Sequence, residues 1–262
     1  MKLTVGGNSI FVATGGKDFD PSLPTIVFLH GAGMDRTVWS LQSRYFAHHG
    51  RSVLAVDLPG HGLSGGTALA SIEAIADWLP QLLDAAAVET AAVVGHSMGA
   101  ISALEFAARH PGRARAIALL GVAASMPVHP ALLDAAKAND HLAVDLVTSW
   151  AHGDTGHVGG NTTPGLWMLG GGVRLLERAA PGVLHNDLAA CSAYKGGEAA
   201  ADKVTCDTLL ILGRADKMTP FKAGSALASK IAGARIAAIE GSGHMMMLEK
   251  PDDTLAALKV FL

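Results

Sequence analysis

Gly95-His96-Ser97-Met98-Gly99 sets a serine between two glycines, after the apolar run Ala91–Val94 and before a helix-like stretch from Met98 to Arg109. A serine at a sharp strand-to-helix turn is held in a strained backbone conformation with its hydroxyl exposed. Side chains two places to either side would obstruct the neighbouring backbone, which is the reason for glycine at 95 and 99. The N-terminus of the following helix turns partial positive charge toward an anion forming at the serine. The spacing predicts a nucleophile at Ser97 for acyl transfer.

Acyl transfer also needs donors for an oxyanion, a base and an acid to orient that base. His30-Gly31-Ala32-Gly33 follows the apolar run Thr25–Leu29, and a tight turn there can aim the Ala32 N–H at the oxyanion that the Met98 N–H also reaches. Each such donor is worth about 3 kcal/mol. A dinucleotide-binding turn would need a third glycine where Arg36 stands, so that reading fails. Near the C-terminus, Gly213-Arg214-Ala215-Asp216 follows the run Thr208–Leu212, and Gly241-Ser242-Gly243-His244 follows Ala234–Ile239. An acid and a histidine thus lie just past the C-terminal ends of late strands, where open parallel sheets place their sites. The candidate triad is Ser97, Asp216 and His244.

The elements that must position these residues show in the patterning. Ile10–Ala13, Thr25–Leu29, Ser52–Val56, Ala91–Val94 and Ala116–Leu120 are short and nearly continuous in apolar residues, as strands buried on both faces are. Between them lie helical patterns: Val38, Leu41, Tyr45 and Phe46 up to Gly50; Ile72, Ile75, Ala76 and Leu79, with Pro80 expected to kink or divide the helix; and Met98–Arg109. The alternation predicts an α/β fold with a mostly parallel, doubly wound sheet. From 126 to 195 strand signals vanish and glycines gather at Gly159-Gly160, Gly165 and Gly170-Gly171-Gly172, with helical pieces expected over Ala131–Leu146 and Val173–Ala179. This block reads as an α-helical cap inserted into one core domain formed by 1–125 and 196–262. Alternation resumes with strands at Thr208–Leu212 and Ala234–Ile239 and helices at Phe221–Ile231 and Asp252–Phe261.

Composition excludes several classes. With 262 residues, half of them apolar and 16% charged, the chain can bury a core without disulfides or metals. A net charge of −3 with no Lys/Arg cluster argues against nucleic acid. No apolar run is long enough to span a bilayer, and Gly6-Gly7 interrupts the N-terminus before a signal region could form. Cys191 and Cys206 form no CxxC pair and read as free thiols in a reducing compartment, so a cytoplasmic location is expected.

The set His30-Gly31-Ala32-Gly33, Asp57-Leu58-Pro59-Gly60-His61-Gly62-Leu63-Ser64, Gly95-His96-Ser97-Met98-Gly99, Gly213-x-x-Asp216 and Gly243-His244 resembles the α/β-hydrolase superfamily, in its large group of bacterial cofactor-free serine hydrolases and esterases. The resemblance runs from about Thr25 to the C-terminus, apart from the cap. It implies Ser97 as nucleophile, His244 as general base, Asp216 as its orienting acid and the N–H groups of Ala32 and Met98 as oxyanion hole, with no cofactor and no metal. Dehalogenases and epoxide hydrolases of the superfamily carry Asp at the nucleophile position, and serine at 97 sets those activities aside. The expected substrate is a small or medium-sized carboxylic ester. Lactones, thioesters, carbon–carbon cleavage and perhydrolysis use the same triad, and a ligand-binding receptor could reuse the scaffold.

Other residues read as structural. Asp57 and the Pro59–Gly62 turn are expected to shape a surface loop; His96 to pack or hydrogen-bond behind the nucleophile; Asp207 to sit at the wrong end of its strand. His152 to His157 fits no metal-ligand spacing. Met245-Met246-Met247, Trp150, Trp167 and Met168 suit either packing or an apolar pocket, and Arg174 and Arg178, four apart on a helix, read as a solvated pair.

Overall fold

Runs of apolar residues without polar alternation are stable only when both faces are covered. The computed structural model, which describes residues 1–157 and 167–262, arranges them in that way. The chain begins with β1 (Lys2–Val5) and β2 (Asn8–Ala13), a hairpin whose two turn residues, Gly6 and Gly7, take φ of 56° and 81°. Positive φ at both positions is what a tight hairpin turn requires, so the glycines that interrupt the N-terminus join two strands. Then follow β3 (Thr25–Leu29), β4 (Ser52–Val56), β5 (Ala91–His96), β6 (Ala114–Leu120), β7 (Asp207–Gly213) and β8 (Arg235–Ile239). They form one sheet in the order β1-β2-β4-β3-β5-β6-β7-β8. The pairs from β4 to β8 are parallel, and β1 and β2 are antiparallel at one edge. Every residue of β3, β4 and β5 is buried. Strand order reverses between β3 and β5, opening the crevice in which doubly wound sheets bind ligands.

Helices α1 (Ser40–Ala47), α2 (Ile72–Ala85) and α3 (Met98–Arg109) alternate with the early strands. Pro80 does not divide α2, which runs 14 residues from its cap at Ser71, whose hydroxyl accepts from the Ala74 N–H. Leu82 and Leu83 beyond the proline are buried in the same core as Ile75 and Leu79 before it. Burial of two leucines, at about 1.5–3 kcal/mol each, matches or outweighs the roughly 3 kcal/mol that an internal proline costs.

Between β6 and β7 come α4 (Pro130–Lys137), α5 (Leu142–Ala151), α6 (Met168–Glu177), α7 (Val183–Ala193) and α8 (Gly197–Ala201). The single helical piece expected over 131–146 is two helices. Asn139 turns left-handed (φ 52°), and the Asp140 carboxylate receives the Leu142 N–H that starts α5. Gly170, Gly171 and Gly172 do not punctuate the chain but lie inside α6, four of whose ten residues precede Gly172. A β-carbon at Gly172 would stand 3.1 Å from Thr148 and 3.3 Å from His152, so glycine there lets α6 lie close to α5. Gly159, Gly160 and Gly165 fall outside the described residues. After β7 come α9 (Phe221–Ala228), α10 (Met246–Glu249) and α11 (Pro251–Phe261). Among the described residues no helix is long and apolar enough to cross a membrane.

Candidate active site

Ser97 sits between β5 and α3 with φ 53° and ψ −114°, a strained conformation for a residue with a side chain. Two close approaches hold it there. A β-carbon at Gly99 would stand 2.6 Å from the Leu29 carbonyl oxygen and 2.7 Å from that of His30, and one at Gly95 would overlap the Gly99 carbonyl. The flanking glycines therefore let the start of α3 press on the end of β3, at the reversal of strand order.

Asp216 follows β7 and His244 follows β8; both side chains are almost wholly buried. His244 Nδ1 donates to Asp216 Oδ2 at 2.8 Å. Since a carboxylate only accepts, this fixes the tautomer and leaves the lone pair on Nε2. Nε2 is buried and has no hydrogen-bond partner among the described residues. His244 and Ser97 line the same cavity. No hydrogen bond joins Nε2 to the serine hydroxyl.

Thr219 completes the acid's surroundings, and sequence reasoning missed it. Its hydroxyl donates to Asp216 Oδ2 at 2.7 Å, and the N–H groups of Met218 and Thr219 both reach Oδ1 at 2.8 Å. Burial works to raise the Asp216 pKa, but the charge and hydrogen bond of His244 and the two bonds from Thr219 outweigh it, and the carboxyl lies below its ordinary value. The available signal was a threonine three residues after the acid, the pattern of a local side-chain turn.

The loop carrying His244 is anchored from three directions. Its N–H donates to the Ala151 carbonyl at 2.7 Å and its carbonyl accepts from His96 Nε2 at 3.0 Å. Glu249, buried, accepts from the N–H groups of Gly153, Gly243 and Met245. His96 thus bonds to the main chain of His244 and packs against its ring. Burial, then the neighbouring His244 charge, hold its pKa well below the ordinary value, so it is neutral. Gly121, after β6 with φ 60°, floors the His244 ring: a β-carbon there would lie 2.9 Å from both Cε1 and Nδ1. Gly121→Ala is expected to push the imidazole aside and lower kcat/KM by about 100-fold, since misplacement by an ångström costs that much. Steady-state kinetics on protein whose far-UV circular dichroism is unchanged would show it.

The Ala32 N–H has no main-chain partner among the described residues, and the Met98 N–H, first in α3, is one that a helix leaves without an internal acceptor. Gly33, at φ 67°, keeps the turn tight. Ser97, His244 and Ala32 open on a cavity of about 280 Å³ walled by Met126, Val128, Leu132, Val147, Trp150 and Leu188. Lys217 is the one Lys, Arg, Asp or Glu among its described lining residues.

Some of the remaining expectations hold and others do not. Asp57 is structural, as expected, but from within: it is fully buried, paired with Arg36 at 2.6 Å, and receives the N–H groups of Arg36 and Leu63, the second holding the exposed loop after it. Arg174 and Arg178 do not act as a pair, because Arg174 binds Glu177 while Arg178 reaches the buried Asp35 at 2.8 Å. Met245, Met246 and Met247 are buried in the core rather than lining the cavity. Trp150 lines the cavity, whereas Trp167 is 60% exposed. Asp207 is exposed at the start of β7, far along the strand from Asp216. Both cysteines are free; Cys191 lines the cavity, where burial and then Asp187 push its thiol up.

Residues 26–258 match the model of the alpha/beta hydrolase family. The chain is 32% identical over 248 residues to a pimeloyl-[acyl-carrier protein] methyl ester esterase of Aromatoleum aromaticum, covering 88% of this chain and 94% of that protein. Among solved structures it resembles an enol-lactonase from Burkholderia xenovorans LB400, with a TM-score of 0.87, 22% identity and coverage of 100% and 99% of the two chains. It also resembles a thermophilic esterase, with a TM-score of 0.80, 28% identity and coverage of 100% and 96%.

Proposed function

The chain belongs to the alpha/beta hydrolase family, and from that premise we propose that it is a serine hydrolase cleaving small or medium-sized carboxylic esters through an acyl-enzyme on Ser97. The observation that carries the reading is His244, hydrogen-bonded through Nδ1 to Asp216 with its buried Nε2 unclaimed, lining the same cavity as Ser97. Ser97 Oγ attacks the ester carbonyl while Nε2 takes its proton. Asp216 stabilises the imidazolium that forms. The N–H groups of Ala32 and Met98 receive the oxyanion. The imidazolium then gives its proton to the leaving alcohol, and a water activated by the same Nε2 releases the acid. No step calls on a cofactor.

Residues 126–195 serve in this reading as a cap over the sheet's crevice, with the core domain formed by 1–125 and 196–262. The walls contributed by α4, α5 and α7 are apolar, which suits an uncharged acyl group. A cavity of about 280 Å³ lies at the low end of small-molecule sites, roughly 300–1,000 Å³, and favours short to medium chains. The esterase relative from Aromatoleum aromaticum favours an ester over other acyl compounds. The test is a series of p-nitrophenyl esters from acetate to decanoate. We expect kcat/KM to peak at short or medium chains and fall beyond them. A protein that binds these esters without turnover would be a receptor on a hydrolase scaffold.

A further inference from the structure

We propose that Asp187, on α7, is a positioning residue for the oxyanion-binding turn, coupling the seating of the helices above the sheet to stabilisation of the transition state. The proposal rests on the reading of Ala32 as an oxyanion donor. Leu184, Asp187, Leu188 and Cys191 lie at helical spacing on one face of α7. Leu184, Leu188 and Cys191 line the cavity, while Asp187 turns to the loop after β3. Its Oδ2 accepts the Gly33 N–H at 2.9 Å, across 154 residues of sequence. Gly33 is bonded to Ala32, so this contact fixes the peptide plane next to the one that carries the oxyanion donor. Leu184 covers the same glycine, where a β-carbon would stand 2.7 Å from its Cδ1.

The carboxylate is held in turn. Asn186 donates to Oδ1 at 3.2 Å, and His61 Nε2 meets Oδ2 at 2.8 Å. His61 Nδ1 meets the Pro59 carbonyl at 3.0 Å. Both partners of this imidazole are acceptors, so both nitrogens must carry protons and His61 is a cation. The pair is buried, with side chains 2% and 1% exposed. Burial disfavours the cation, but the hydrogen bond and charge of Asp187 outweigh it and raise the His61 pKa. His30, with ring centroid 4.8 Å away, stays neutral: burial, then the His61 charge, lower it to about 4. Asp57, held by Arg36, is the other carboxylate near His61. A buried ion pair of this kind is weak evidence for added stability but fixes geometry when every donor is satisfied.

The test compares Asp187→Asn, whose amide oxygen in the place of Oδ2 can still accept from the Gly33 N–H and from Nε2–H of a neutral His61, with Asp187→Ala, which leaves Gly33 unheld. Two quantities are read on each: the split between kcat and KM for a p-nitrophenyl ester, and Ki for an aryl trifluoromethyl ketone. That ketone adds to a catalytic serine as a tetrahedral oxyanion, and Ki does not depend on how much enzyme has folded. Asp187→Ala should lower kcat by about tenfold or more with KM within about twofold, and weaken the ketone by the same factor as kcat/KM. Asp187→Asn should stay within about threefold of wild type in both. If the alanine protein does not fold, Asp187→Ser, too short to reach Gly33 while admitting a water to His61, gives the same comparison. Wild-type kcat and Ki in the folded alanine or serine protein would overturn the proposal, as would an asparagine protein that falls as far as alanine. Failure of the wild-type enzyme to bind the ketone at Ser97 would instead remove the acyl-enzyme reading itself.

Discussion

Replacing Ser97 by alanine is expected to lower kcat for ester hydrolysis by about 10⁶-fold, leaving only the residual acceleration that oxyanion donors and binding supply. The loss arises because the Ser97 hydroxyl is the group that takes up the acyl chain in this reading. Cys191 lines the same cavity, but its thiol is buried and pushed up in pKa, so it is a poor substitute nucleophile. Stability should respond differently. Alanine at φ 53° carries the same backbone strain as serine, so the melting temperature should barely move. Ser97→Gly removes that strain and should be the more stable protein by about 1 kcal/mol while equally inactive. Kinetics beside thermal unfolding of the two variants separates the two effects. A glycine protein less stable than the alanine one would show that the turn at Ser97 is not strained.

Asp216→Asn is expected to lower kcat by about 10⁴-fold with little change in KM. The size follows from where the new amide must point. The N–H groups of Met218 and Thr219 both require an acceptor at the Oδ1 position, so the side-chain oxygen stays there and the NH₂ takes the place of Oδ2, facing His244. Two donors cannot share one hydrogen bond, so His244 must move its proton to Nε2. The nitrogen that should accept from Ser97 then carries a hydrogen. Kinetics of the asparagine protein measures this loss, and activity within about tenfold of wild type would mean that Asp216 does not set the tautomer. The stability consequence has a definite sign. Because the native carboxyl lies below its ordinary value of 3.8, the ionised carboxylate stabilises the fold fully above that pH, and the benefit is lost as pH falls through the native value. Any stability gap between wild type and Asp216→Asn should therefore close toward strongly acid pH, as read by denaturant unfolding.

What could be read from sequence was local. Gly95–Gly99 shows itself because its glycines, its serine and the elements on either side are contiguous, and the strained turn is made within those few residues. The buried strands are legible for the same reason, since four consecutive apolar residues leave few alternatives. The residues that hold the site in place are not contiguous. Thr219 is near Asp216, but its hydroxyl matters only because β8 brings His244 alongside. Asp187 carries no motif and lies where no helix was expected, until the fold sets it on α7 against Gly33 and His61. Glu249, gathering three main-chain N–H groups around the His244 loop, carries no motif at all. Glycine punctuation misled within α6 because a helix can keep glycine where another helix lies close, and that depends on packing rather than propensity.

The most direct measurement is peptide mapping by mass spectrometry after reaction with a fluorophosphonate. Wild-type protein should gain a single adduct, on the peptide bearing Ser97, and lose ester turnover in proportion to labelling. Asp216→Asn should label far more slowly at the same residue, and Ser97→Ala not at all. An adduct on another side chain, or full ester turnover by the alanine protein, would contradict Ser97 as the nucleophile.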